Sequence, residues 1–245
     1  MKTSDFVFSP PTLKMFMKYG KFYRELSPIW DKLISEQNIA SIYCPYSLGH
    51  SPEEVVFLET CRKYSEKDRY YHNIEHVVAC LREFKEVEAL AEHPSEIKAG
   101  LFSHDSIYDT HAANNEIKSA QYMRKGLQRI GFQNDFIERA GRIVLVTDHK
   151  TQVENIDEAL TVDIDLSIFG KPTEIFNDYD KKIRQEYSWV PWDQYCAKRA
   201  QVLRSFLDRP QIYHTDYFRQ KYEDKARMNL GRTIHDLERN VQKGL

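Results

Sequence analysis

Apolar residues recur at intervals of three and four along most of the chain, which is the period of an amphipathic α-helix. The clearest case is the stretch "NIEHVVACLREFKEVEAL" at residues 73–90, where the apolar positions fall on one stripe. Those positions are Ile74, Val77, Val78, Leu81, Phe84 and Val87. The pattern predicts a helix that packs one face against a core.

Capping residues mark where several helices begin. The sequence "SPEE" predicts a helix start with Ser51 as N-cap, Pro52 at the first position and Glu54 closing a capping box. Ser95 is expected to cap a helix over "EIKAGLFSHDSIY", residues 96–108.

A further helix is predicted to start at Asn114 or Asn115 and to end at Gly131. The next segment, residues 135–147, is apolar enough to be central. A strand is one option for its "RIVLV" portion, but the flanking pattern favours a buried helix.

Three more helices are expected near 173–188, 192–208 and 216–241. No repeat, low-complexity tract or flexible linker interrupts the pattern. The sequence therefore predicts an all-α chain, with residues 1–245 as a single helical domain whose N- and C-terminal helical extensions pack on the core.

The charge and composition of the chain limit the classes of partner that it is expected to bind. The formal net charge is −2 and the isoelectric point is near 6.5, so there is no general attraction to nucleic acid or to anionic membranes. No apolar run approaches the roughly 18 residues of a membrane-spanning helix. The first residues lack the apolar segment of a secretory signal. The cysteines Cys44, Cys61, Cys80 and Cys196 are scattered without pairing, which predicts a reduced, cytoplasmic protein.

Glycine-rich phosphate-binding loops are missing from the sequence, which contains neither GxGxxG nor GxxxxGK[ST]. Any phosphate bound by this chain must therefore be held by side chains, by a metal ion or by helix ends.

Two short stretches carry residues typical of metal sites, "RYYHNIEH" at 69–76 and "SHDSIYD" at 103–109. His72 and His76 are four residues apart, so on a helix they would lie on the same face. His104 and Asp105 would point about 100° apart on a helix. Both could reach an ion in the groove between two helices, and imidazole and carboxylate are common ligands for divalent ions.

A further carboxylate is needed to complete such a site, and Asp163 and Asp165 in "TVDIDLSIFG" are available. On a helix the two would point about 160° apart, so only one of them can face the ion. Spacing alone does not choose between them.

Five stretches in this order resemble the family of uncharacterised, predicted metal-dependent phosphohydrolases of the HD superfamily. They are "RYYHNIEHV", "HDSIYD", "NNEIKSA", "VDIDLSIFG" and "RPQIYHTDYFRQKYEDKARMNL". The resemblance covers roughly residues 15–240. It implies an HD-domain-like helical bundle that binds a divalent ion (Mn, Co, Ni, Mg, Zn or Fe) and cleaves a small-molecule phosphate ester, such as a nucleotide.

A more distant similarity concerns "YHNIEH", which resembles the HNxxH stretch of the cyclic-nucleotide phosphodiesterases. It implies that His76 binds metal and that His72 donates a proton to the leaving oxygen. With the HD pattern, the implied metal ligands are His76, His104, Asp105 and Asp165, and His72 and Asp105 are the implied catalytic residues. The choice of Asp165 rests on the "DLS" that begins with it.

Several other residues are candidates for contacts with substrate or for support of the ligands. Asp163 would orient a ligand histidine or a water molecule. His149 is either a further metal ligand or an exposed residue at a helix end. The remaining candidates are Arg69 and Lys118 for phosphate, Glu116 for capping or substrate, and His111 for substrate.

Two other functions remain open at this stage. The first is a di-iron oxygenase of the HD type, which needs additional histidines, and only His111 and His149 lie between the His-Asp pair and Asp165. The second is a non-enzymatic nucleotide-binding protein. A homodimer formed through the last helix is a further expectation.

Overall fold

The structure is a computed structural model that describes residues 13–37 and 51–243, with side chains described for residues 20–37 and 51–240. The described residues form α-helices and short 3₁₀ turns, with no strand among them, so the prediction of an all-α fold is confirmed. Cys44 lies outside the described residues. The helices are α1 (Leu13–Glu36), α2 (Pro52–Lys63), α3 (Ile74–Val87), α4 (Pro94–Ser103), α5 (Asn115–Ile130), α6 (Asn134–Leu145), α7 (Ile156–Asp165), α8 (Thr173–Glu186), α9 (Trp192–Leu207) and α10 (Asp216–Lys243).

Helix α3 lies at the centre and buries the stripe that its sequence predicts. Ile74, Val77, Val78, Leu81, Phe84 and Val87 are all buried. The stripe packs between α1, α4 and α7. Buried apolar side chains from α1 to α10 join in one contiguous cluster. The packing of α3 against α7 in this core also brings the first turn of α3 close to the last turn of α7.

Several predicted boundaries are confirmed. Helix α2 begins with the full capping box, in which the Ser51 hydroxyl accepts from the Glu54 N–H and the Glu54 carboxylate accepts from the Ser51 N–H. Helix α5 ends at Ile130 with Gly131 as its C-cap, and the φ of 100° at Gly131 is the left-handed conformation that glycine tolerates. The segment with "RIVLV" lies in helix α6 and the turn after it, so the strand option is wrong.

The predicted helix over residues 96–108 is wrong at both ends. Helix α4 starts at Pro94, and the Ser95 hydroxyl donates to Glu36 instead of capping the helix. The helix stops at Ser103, so His104 and Asp105 lie in the turn that follows it.

The early end of α4 has a physical cause in distant side chains. Arg69 donates to the carbonyls of Asp105 and Ser106, and the Ser119 hydroxyl binds the backbone N–H and carbonyl of Ile107. These contacts satisfy backbone groups that would otherwise need helical partners.

The helices that carry the candidate site fit closely against their neighbours. Gly100 of α4 meets α6 so tightly that an added Cβ would lie 2.2 Å from Cγ2 of Ile143. Gly170, in the 3₁₀ turn Leu166–Gly170 after α7, meets Tyr222 of α10 in the same way, at 2.3 Å. None of the helices within residues 13–37 and 51–243 is long and apolar enough to cross a membrane.

We expect Gly100→Ala to lower the free energy of unfolding by about 1–3 kcal/mol, because the new methyl group overpacks the contact between α4 and α6. Urea denaturation followed by circular dichroism measures the change. The matched control is Gly231→Ala in α10, where an added Cβ has no neighbour within 4 Å. That control should be neutral or stabilising by about 0.5–1 kcal/mol, and a Gly100→Ala protein as stable as the control would contradict the packing argument.

Candidate metal centre

Four side chains from three parts of the chain converge at the centre of the bundle. His76 lies in the first turn of α3, His104 and Asp105 follow α4, and Asp165 is the last residue of α7. The Nε2 atoms of the two histidines are 3.0 Å apart. Nε2 of His76 lies 3.1 Å from Oδ1 of Asp165, and Nε2 of His104 lies 3.0 Å from Oδ2 of Asp105.

These separations fit ligands around a single ion. Metal–ligand bonds of about 2.0–2.2 Å place neighbouring donor atoms roughly 3.0–3.5 Å apart in tetrahedral or octahedral geometry. The two cross pairs, His76 to Asp105 and His104 to Asp165, are both 3.6 Å. Each of the two carboxylate oxygens thus lies at ligand spacing from one imidazole nitrogen and slightly further from the other, and imidazole and carboxylate suit borderline divalent ions.

The orientation of His104 also fits a ligand. Its Nδ1 lies 2.9 Å from the Leu101 carbonyl, which can only accept, so Nδ1 carries the proton. In the neutral ring this leaves the lone pair of Nε2 directed into the cluster, the arrangement usual for histidines that bind metal through Nε2.

The electrostatics of the cluster favour a positive charge. Burial lowers the pKa of His104, but the carboxylates of Asp105 and Asp165 outweigh it and raise that pKa well above its usual value. Burial opposes the ionisation of both carboxyl groups, yet the neighbouring histidines hold the pKa values of Asp105 and Asp165 below their usual range. Two ionised, largely buried carboxylates thus attract a cation, which is either a proton on imidazole or a metal ion.

Cys80 joins the cluster, although the sequence reasoning did not select it. Single donor atoms of His76, Cys80, His104 and Asp165 all lie within 4.8 Å of one another. Burial raises the pKa of the Cys80 thiol well above its usual value. Its position four residues after His76 was a signal of a shared helix face. A cavity of about 220 Å³ borders the cluster at Cys80.

His72 lies beside the cluster but not on the helix that carries His76, so the prediction of one shared helix face is wrong. Asn73 is the N-cap of α3 and its side chain accepts from the Glu75 N–H, which leaves His72 in the segment before the helix. The rings of His72 and His76 are nevertheless only 5.9 Å apart, centre to centre.

Glu186, the last residue of α8, fixes the His72 ring. Its Oε2 lies 2.7 Å from Nδ1 of His72 and accepts from the Tyr108 hydroxyl at 3.0 Å. Its Oε1 accepts from three consecutive backbone N–H groups, those of residues 70–72. The Tyr108 ring stacks on the His72 ring at 4.2 Å. Nothing in the spacing of the sequence distinguishes Glu186 from the other charged residues of its helix.

The pKa values of this pair follow from the contact. Burial lowers the pKa of His72, but the charge of Glu186 outweighs burial and raises it above the usual value. Burial would raise the pKa of Glu186, yet His72 and the backbone donors hold it below the usual value. Glu186 is therefore a carboxylate, Nδ1–H of His72 donates to it, and Nε2 of His72 has no hydrogen-bond partner among the described residues.

Arg69 is buried and fully engaged, so the structure does not present it to a phosphate. Its guanidinium donates to the Glu66 carboxylate and to the backbone carbonyls of His72, Asp105 and Ser106. It ties the segment before α3 to the turn after α4.

Asp163, which was expected to orient a ligand histidine or a water molecule, makes no hydrogen bond to a ligand histidine among the described residues. Its carboxylate is fully buried and accepts from the backbone N–H groups of His214 and Thr215 and from the Thr215 hydroxyl, each at 2.7 Å. Burial raises its pKa to about 6, against these donors, which lower it. Asp163 thus holds the segment before α10.

His149 reaches the cluster through Asp165, whose two oxygens face different partners. Oδ1 faces the histidines of the cluster, and Oδ2 lies 3.0 Å from Nε2 of His149. His149 has a φ of 58°, and it is the one residue other than glycine with positive φ in the described part of the chain.

The remaining candidates lie apart from the cluster. Lys118 is exposed on α5, and the partly exposed Glu116 has no hydrogen bond among the described residues. His111 packs against Trp189 with ring centres 4.0 Å apart.

Comparison with known proteins gives no match of this chain to a family model, to a curated protein or to a solved structure. The buried cluster that could hold a metal ion therefore stands on its geometry, and the HD resemblance stays a prediction.

The two aspartates of α7 should differ in their effect on metal binding. We expect Asp165→Asn to lose tight Mn²⁺ binding, because it removes a carboxylate from the cluster. Asp163→Asn should keep the ion but lose about 1–3 kcal/mol of stability, since an amide cannot accept from donors at both of its ends. Isothermal titration of metal-free protein and urea denaturation measure the two effects, and loss of the ion from Asp163→Asn alone would reverse our assignment.

Proposed function

We propose that this chain is a metal-dependent phosphohydrolase that cleaves a phosphate ester of a small molecule. The observation that carries the proposal is the juxtaposition of two features. A cluster with the spacing of a metal site lies beside His72, a histidine whose Nδ1 is fixed by the buried Glu186. Hydrolysis of a phosphate ester needs both activation of the phosphoryl group and a proton for the leaving oxygen.

His76, His104, Asp105 and Asp165 would hold the divalent ion, which when bound polarises a phosphoryl oxygen and lowers the pKa of bound water. The chain itself supplies the proton. With Nδ1–H committed to Glu186, the second proton of an imidazolium at His72 lies on Nε2 and can pass to the leaving alkoxide. The carboxylate of Glu186 raises the pKa of His72 above its usual value, which favours the protonated ring that a proton donor needs.

The surrounding contacts hold the proton donor still. Glu186 accepts from the backbone N–H groups of Tyr70 and His72 as well as binding the His72 ring. Arg69 donates to the His72 carbonyl. Tyr108 covers one face of the ring and donates to the same carboxylate. A proton donor with fixed position and tautomer loses little entropy when the substrate binds.

The two other functions predict different observations. A di-iron oxygenase needs ligands for a second iron, and of the two extra histidines only His149 contacts a cluster residue. Two irons per chain together with oxygen consumption would favour it. A nucleotide-binding protein without activity would bind nucleotide and release no phosphate.

Metal-loaded protein should release phosphate from alkyl phosphate esters in a screen with Mn²⁺, Co²⁺, Ni²⁺ and Mg²⁺. His72→Ala should retain the metal and lose about 10²–10⁴ in rate on these esters, because their leaving alkoxides need a proton. p-Nitrophenyl phosphate has an acidic leaving group and should be affected much less. Equal losses on both substrates would show that His72 is not the proton donor.

Replacement of Glu186 tests how the donor is tuned. Glu186→Gln removes the charge that raises the pKa of His72, so the fall in kcat/KM at alkaline pH should move to lower pH while the metal content stays the same. Tyr108→Phe is the matched control, because it removes one hydrogen bond to the same carboxylate and keeps its charge. An alkaline limb that does not move in Glu186→Gln would contradict this role.

A further inference from the structure

The segment between α9 and α10, residues 208–215, is fixed by hydrogen bonds from side chains of α7 and α10 to its backbone. We refer to it as the 208–215 loop. Its backbone is bound by Arg219, Glu223 and Arg227 of α10 and by Asp163 of α7. The contacts run to Arg209 O, Pro210 O, Ile212 N, Tyr213 N, Tyr213 O, His214 N, His214 O and Thr215 N.

Two basic side chains of this rigid loop are left without acidic partners. Arg209 is partly buried, with its guanidinium 4.5 Å above the Phe206 ring. Its side chain donates one hydrogen bond, to the His149 carbonyl at 2.9 Å, and no carboxylate lies within 4.0 Å among the described residues. The His214 ring is exposed and has no hydrogen-bond partner in the described part of the chain.

These side chains border the candidate metal centre. The His149 residue that Arg209 contacts places its Nε2 3.0 Å from Oδ2 of Asp165. Asp163, two residues before Asp165, holds the backbone of His214. The Nδ1 atom of His149 is buried without a partner among the described residues. The loop therefore places Arg209 next to His149, which contacts Asp165 of the cluster, and the backbone of His214 next to Asp163.

The uncompensated charge at this place is that of Arg209, because the pKa of His214 is lowered and favours the neutral ring. Burial lowers the pKa of His214, and the charges of Arg209, Arg219 and His149 lower it further. Burial also lowers the pKa of Arg209, with no neighbouring carboxylate to raise it. A partly desolvated cation without a counter-charge is unfavourable, so an anion bound at this place would be stabilised.

We propose that Arg209 and His214 bind a second phosphate group of the substrate, separate from the one at the metal centre. The guanidinium of Arg209 offers two parallel N–H donors that match a phosphate, and it reaches the cluster only through His149. Because His149 stands between the guanidinium and Asp165, we assign the two places to two different phosphate groups. The inference rests on the proposed function for identifying the ligand as substrate, and it makes that substrate a compound with at least two phosphate groups.

The binding test uses metal-free protein and inorganic phosphate as the probe. Titration by calorimetry at low ionic strength should show saturable binding. Arg209→Gln and His214→Gln should each weaken it about tenfold or more, since each removes a charge-assisted hydrogen bond. Arg209→Lys, which keeps the charge, should lose less.

Arg204→Gln is the matched control. Arg204 is an exposed arginine of α9 that pairs with Glu238, and its replacement should bind phosphate as the wild type does. The His214 ring makes no contact that the fold requires, so His214→Gln tests the site without endangering folding. Equal phosphate affinity in wild type, Arg209→Gln and His214→Gln would overturn the inference, as would the lack of saturable binding.

A kinetic test separates this inference from the proposed function. Arg209→Gln should lower the ratio of kcat/KM for a nucleoside 3′,5′-bisphosphate to that for the matching monophosphate about tenfold. Equal losses on the two substrates contradict a second phosphate site. If no ester is hydrolysed at all, the proposed function fails, and the phosphate titration alone decides the inference.

Discussion

The candidate site depends most directly on the hydrogen bonds of the buried Arg69 guanidinium. It donates to the carbonyl of His72 and to those of Asp105 and Ser106, and so joins the segment before α3 to the turn after α4. Without it, the Ser106 carbonyl would be buried and the other two partly buried without this partner, which costs up to about 1–3 kcal/mol for each group. Because its donors are spent on the backbone, Arg69 shapes the site instead of binding a substrate.

The contacts of Arg69 also illustrate which features can be predicted from the sequence and which cannot. The stripe of α3, the capping box at Ser51 and the left-handed Gly131 are local signals, and each is found as predicted. The end of α4 at Ser103 is not local, since it depends on a side chain from another segment that takes up the carbonyls of the turn. The three- and four-residue spacing of apolar positions continues past Ser103, although α4 ends there.

The candidate site divides in the same way. Residue type and order select His76, His104, Asp105 and Asp165, because donor chemistry is visible in a sequence. Their supporting contacts are not visible. Glu186 is a glutamate in a charged helix, and only the folded chain brings it to His72, 114 positions away. Asp163 was selected for its neighbourhood to Asp165, but its direction on the helix gives it a different partner.

Buried carboxylates that accept from consecutive backbone N–H groups recur on both sides of the cluster. Glu186 binds three such groups before α3, Asp163 binds two before α10, and Asp157 binds two before α4. In a fold without strands among its described residues, the segments that enter helices have few backbone partners, and these carboxylates supply them.

A buried carboxylate that binds the backbone in this way can also act on a side chain of the candidate site. A carboxylate has only acceptors, so it can bind backbone N–H groups with one oxygen and a functional group with the other, as Glu186 does with His72. The same charge that organises the backbone therefore also sets the tautomer and raises the pKa of the histidine. The interaction of Glu186 that orders the entry to α3 is thus also the one that would prepare His72 as the proposed proton donor, and a substitution at Glu186 acts on both.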